Sequence, residues 1–127
     1  MKQRFYICPH CKKIVAIVRD TAAPLIWCGE RMTLIEPGTT DAAVEKHVPV
    51  IRQEGGMVYV TVGSVEHPMT AEHYIEWVSL QTAQGNQRKQ LNPGDKPEVC
   101  FAICPDDTVE AAYAYCNLHS LWAGKPE

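Results

Sequence analysis

The sequence predicts an all-β chain: an antiparallel β-sandwich preceded by a small metal-ribbon module. Three observations lead there. Short β-branched or alternating runs recur between residues 48 and 115, with turn residues between them. No long stretch carries a helical period. The first 36 residues set cysteines on strands too short to bury a core, so a metal must contribute folding energy there.

Within residues 1–36, Phe5-Tyr6-Ile7 and Ile14 to Val18 read as strands flanking the Cys8-Pro9-His10-Cys11 turn. Leu25 to Glu30 then returns Cys28 beside Gly29. The turn-rich run Glu36-Pro37-Gly38-Thr39-Thr40-Asp41 ends this module and opens the second unit, residues 37–127. Ala42 to Lys46 is long enough for one helical turn. Val48 to Ile51 is a strand, Glu54-Gly55-Gly56 a turn, and Met57 to Val62 a β-branched strand. Tyr74 to Leu80 alternates, which predicts Ile75 and Trp77 on one face and Glu76 on the other. Gly85-Asn86 reads as a turn, Asn92 to Pro97 as a loop, and Val99 to Ile103 and Ala111 to Tyr115 as the last strands.

At 127 residues, 46% hydrophobic and 21% charged, the chain has the composition of a globular protein with one main core. Its net charge of −3 and scattered basic residues argue against nucleic acid as a partner. No apolar run reaches the roughly 18 residues of a membrane span. Nothing before Cys8 resembles a signal peptide, so a cytoplasmic location is expected. Thiols stay reduced there, and the six cysteines read as metal knuckles or free thiols before they read as bridges. Cys100 and Cys104, flanking Phe101-Ala102-Ile103, are expected to be buried and inert.

His47, His67, His73, Cys116 and His119 stand out as candidate ligands, each at a strand end or beside a turn residue. Cys116 and His119 lie three apart, within reach of one ion, and His67 and His73 flank one loop. His47 must arrive from a distance. Strands that run back and forth return such loops to one end of a sandwich. Four imidazoles and one thiolate leave one octahedral position vacant. That set suits redox-active iron better than structural zinc, which prefers a closed tetrahedron. Ferrous iron with one thiolate carries a local positive charge, so the site would attract a small anion. The thiolate would push electron density through the metal toward a bound oxygen species. On residue type alone Lys46 and Glu45 read as solvated surface charges; adjacency to His47 offers the alternative that Lys46 steers an anion and Glu45 reaches the vacancy as a sixth ligand.

Four segments carry a family resemblance: Glu45-Lys46-His47-Val48-Pro49-Val50, Gly63-Ser64-Val65-Glu66-His67-Pro68-Met69, His73-Tyr74-Ile75-Glu76-Trp77 and Tyr115-Cys116-Asn117-Leu118-His119. Together they closely resemble the superoxide reductases of the desulfoferrodoxin and neelaredoxin family, over residues 6–122. The resemblance implies an immunoglobulin-like sandwich behind a desulforedoxin-like module. It implies a ferrous site with His47, His67, His73 and His119 in a plane and Cys116 axial. Lys46 would assist superoxide capture and Glu45 would occupy the sixth position of the ferric state. The implied reaction reduces superoxide to hydrogen peroxide, with a rubredoxin-like electron donor and a homodimer or homotetramer.

The N-terminal module departs from the two-iron members of that family, which use four cysteines with two adjacent. Cys8, Cys11 and Cys28 fit three positions, and Trp27 stands at the fourth. A second metal is therefore not expected here; an empty module, a disulfide or an occasional zinc fits three thiols better than a rubredoxin-like iron. Two other functions use the same residues. One is a non-catalytic iron-binding or electron-transfer protein. The other is a zinc-ribbon interaction module in which the histidines are incidental.

Overall fold

A computed structural model describes residues 2–126, and the chain divides into two compact units, Met1–Glu36 and Pro37–Glu127. In the first unit, β1 (Phe5–Ile7) is central between β2 (Ile14–Ala16) and β5 (Thr33–Leu34), and β3 (Ile26–Trp27) with β4 (Glu30–Arg31) forms a separate two-stranded hairpin. Phe5, Cys8, Met32 and Ile35 are its buried apolar residues. Both knuckles turn through left-handed backbone, at Lys12 (φ 66°) in one and at Cys28 (φ 54°) and Gly29 (φ 71°) in the other. Glycine tolerates that conformation freely; Lys and Cys do not.

The second unit opens with α1 (Val44–His47), the one helix among the described residues, followed by β6 (Pro49–Glu54) and β7 (Met57–Val62). Then come β8 (Ile75–Thr82), β9 (Gly85–Gln90), β10 (Glu98–Ala102), β11 (Val109–Cys116) and β12 (Ser120–Gly124). One sheet runs β10-β7-β6 and the other β12-β11-β8-β9, all antiparallel. The expected sandwich follows from alternation: Val58, Val60 and Val62 of β7 and Phe101 of β10 face Val78, Leu80, Ala112 and Ala114 of the other sheet in one core. Each fully buried valine or leucine contributes roughly 1.5–3 kcal/mol.

Ile75 and Trp77 do not share a face. Ile75 pairs with Cys116 and joins the core, whereas Trp77 pairs with Tyr115 and stacks on its ring at 5.6 Å. A bulge between Tyr115 and Cys116 shifts the register and moves Ile75 out of the strict two-residue alternation. Gly85-Asn86 is not a turn: the β8–β9 reversal lies at Ala83-Gln84, and Gly85 begins a strand. Cys100 is half-buried and Cys104 exposed, against the expectation for both, because β10 ends at Ala102 and Cys104 lies beyond it.

β9 and β10 are the free edges on one side of the sandwich. Gln87 Nε2 donates to the Ala102 carbonyl at 2.8 Å, and Lys89 Nζ donates to the Cys100 carbonyl. No helix among the described residues is long and apolar enough to cross a membrane.

Candidate metal centre

The strand registers bring the candidate ligands together. Pro49 pairs with Val62, Ile75 with Cys116, and Cys116 with Ser120. The start of β6, the end of β7, the start of β8, the end of β11 and the start of β12 therefore share one pole. His47 ends α1 just before β6, and His67 lies in the loop after β7. His73 precedes β8, Cys116 ends β11, and His119 sits in the turn into β12.

Four imidazole rings close into a square. Neighbouring ring centroids lie 4.7 Å apart for His47–His67, 4.7 Å for His67–His73, 5.1 Å for His73–His119 and 4.9 Å for His119–His47. Each neighbouring pair stands edge to face, at 77–89°. His47 and His73 sit across the square at 6.5 Å. The ligand atoms of His47, His67, His73 and Cys116 all lie within 4.8 Å of one another. His119 joins them through Nδ1, 3.2 Å from His47 Nε2 and 3.8 Å from Cys116 Sγ.

The donor chemistry fits a cation at this point. His47 Nδ1 lies 2.7 Å from the Ala43 carbonyl and His67 Nδ1 2.6 Å from the Pro68 carbonyl. A carbonyl only accepts, so both imidazoles carry their proton at Nδ1 and present a bare lone pair at Nε2. Those two Nε2 atoms face each other at 3.2 Å, an arrangement that repels until a cation lies between them. His73 Nε2 is buried with no hydrogen-bond partner. Burial lowers the pKa of His47 and His73, and drives His67 from 6.5 to about 4 against the opposing pull of its Pro68 hydrogen bond. A second proton is thus held off these three rings, and metal-ready neutral imidazole is their resting form. Burial raises the Cys116 thiol, while the backbone N–H groups of Leu118 and His119 pull it back down.

Glu45 and Lys46 are exposed on α1. The charge of Lys46 helps to depress both His47 and His73, and Glu45 acts on His47 in the opposite sense. Lys46 and His67 line one open pocket of about 510 Å³ together with Glu66, Met69, Asp95 and Lys96. Cys8, Cys11 and Cys28 form a second cluster in the N-terminal unit, their sulfurs within 4.8 Å of one another. Burial pushes the Cys8 thiol up, but hydrogen bonds from the Cys11 and His10 backbone and from the Cys11 and Cys28 thiols together outweigh it and bring Cys8 down to about 7.

Three positioning residues escaped the sequence reading. Asn117 accepts the Tyr74 backbone N–H at 2.9 Å and donates to the Glu72 carbonyl at 2.9 Å, bracketing His73 from the Cys116–His119 turn. The Trp122 ring lies 5.0 Å from that of His47, and its indole N–H donates to the His119 carbonyl at 2.9 Å. Gly63 (φ +85°) sits against α1; a Cβ there would meet the carbonyls of Glu45 at 2.8 Å, Lys46 at 2.7 Å and Val65 closer still. Asn between two ligands and Gly before a loop were visible in the sequence, but only the fold shows what each touches.

A desulfoferrodoxin homologue of Archaeoglobus fulgidus is 49% identical over 117 residues, 92% of each chain. The desulfoferrodoxin of Nitratidesulfovibrio vulgaris is 47% identical over 92% of this chain and 91% of its own. The crystal structure of the superoxide reductase from Treponema pallidum superposes with a TM-score of 0.83, at 42% identity, over 98% of this chain and 100% of that one. The desulfoferrodoxin family model matches residues 39–125, which include the whole histidine square and Cys116, and this chain belongs to the desulfoferrodoxin family.

Proposed function

We propose that the chain is a superoxide reductase, taking up one electron and two protons per superoxide to give hydrogen peroxide at one iron. His47, His67, His73, His119 and Cys116 would hold that iron. The closed square of four imidazoles around inward lone pairs, beside a buried thiol, carries the reading. When bound, the iron supplies the electron, and thiolate donation from Cys116 makes it a stronger reductant.

The chain's own groups do the rest. The Ala43 and Pro68 carbonyls fix the tautomers of His47 and His67. Lys46, exposed on the pocket that reaches His67, draws in the anion despite the overall charge of −3. Glu45, beside it on α1, would offer its carboxylate to that iron. The open pocket gives solvent protons a way in. A small rubredoxin-like carrier would return the electron, and the family resemblance suggests a homodimer or homotetramer. A cytoplasmic setting agrees with six free thiols.

The test is iron content and visible spectrum, followed by product counting. The expected protein holds one iron per chain at this site, with a thiolate-to-ferric band that vanishes on reduction. It forms one peroxide per superoxide and no dioxygen. A protein that cannot be reconstituted with ferrous iron, or that releases dioxygen as a dismutase does, overturns the reading.

A further inference from the structure

We propose that Cys8, Cys11 and Cys28 hold one zinc ion, with a solvent water as fourth ligand, where two-iron members of the family hold a four-thiolate iron. The three sulfurs, all free thiols, already lie within bridging distance of one ion. Among the described residues no fourth donor joins them. Trp27 occupies the remaining position, and an indole has no lone pair to give. Its ring lies instead under the Lys13 ammonium, 3.7 Å from the centroid. His10 is engaged elsewhere, its Nε2 at 2.9 Å from Glu30 Oε2, with both side chains more than half exposed.

Three thiolates and an open position suit zinc, which accepts three protein ligands plus water and undergoes no redox change. A rubredoxin-like iron needs the sulfur that Trp27 lacks. Zinc with three thiolates carries one negative charge, and Lys12 and Lys13 follow Cys11 directly. The Cys11 backbone N–H points at Cys8 Sγ from 3.5 Å, the hydrogen bond that settles a metal thiolate. A metal would also account for the left-handed backbone at Lys12 and Cys28, which persists only where surrounding structure enforces it. This inference does not depend on the reading of the histidine site.

The test uses the full chain, iron-loaded and reduced under anaerobic conditions. Zinc is titrated in and counted by chelator competition, while the ferric band of the histidine site, read on a reoxidised sample, reports that the rest of the chain is intact. One zinc per chain is expected beyond the iron, with Cys8, Cys11 and Cys28 protected from alkylation and Cys104 still reactive. Cys28→Ser should weaken zinc binding by more than the roughly 100-fold that loss of an outer partner costs. Trp27→Cys should convert the site to one that takes iron and shows four-thiolate ferric bands. No zinc bound beyond the iron, zinc uptake indifferent to Cys28→Ser and Cys11→Ser, or four-thiolate iron bands in the unaltered chain would each overturn the proposal.

Discussion

Single side chains at the metal centre separate holding from catalysis. Lys46 makes no contact that holds the histidines, so Lys46→Ala should leave iron content unchanged. It should slow the reaction with superoxide by about tenfold or more, measured by pulse radiolysis. Trp122→Phe keeps a ring against His47 but deletes the donor to the His119 carbonyl. Iron affinity should fall by roughly 10–100-fold, read by chelator competition, and the thiolate-to-iron band should move. His67 gives a pH dependence whose sign follows from its depressed pKa. The unfolded chain takes up a proton below 6.5, whereas the folded one resists until about 4. The stability of the iron-free protein is therefore complete above that upper value and is lost as pH falls toward the lower one. The loss is about 3 kcal/mol from this group alone. Urea unfolding of iron-free protein at neutral pH and at acid pH checks it; equal midpoints would show that His67 is not held neutral.

Elements set the site through two backbone approaches. The Gly63 loop supports α1, with Val65 N–H donating to the Glu45 carbonyl at 2.9 Å and Gly63 N–H to the Val48 carbonyl at 3.2 Å. Gly63→Ala adds both a clash and a strained φ, and should destabilise the second unit by roughly 1–3 kcal/mol while displacing Lys46 and His47 together. A thermal melt combined with the superoxide rate would reveal both effects. The strands that build this pole were legible because valines alternate strictly in β7 and aromatic or β-branched residues mark β8, β10 and β11. β9 was not legible: Gly85, Asn86, Gln87, Arg88, Lys89 and Gln90 are all exposed, so no apolar period marks them. The face of Ile75 was misread because a bulge breaks the alternation, and a bulge depends on the partner strand. The ligand residues could be picked out by type and setting. The pairing of ring nitrogens could not, since it depends on carbonyls at Ala43 and Pro68 whose direction only the folded loops fix.

At the scale of the whole molecule, a net charge of −3 and the single ammonium of Lys46 beside the site oppose each other in attracting an anion. Salt decides between them. If Lys46 and the site dominate, the superoxide rate falls as ionic strength rises, and the slope flattens in Lys46→Ala. A rate that rises with salt would show the global charge in control. The side of the sandwich where β9 lies near β10 bears on a different property. Both strands are sheet edges, and edges invite another chain to add a strand. Here Gln87 and Lys89 reach over to the Ala102 and Cys100 carbonyls, so the acceptors an incoming strand would use are already occupied. The result is colloidal: on this side of the sandwich, the polar side chains of the ninth strand oppose edge-to-edge pairing between copies.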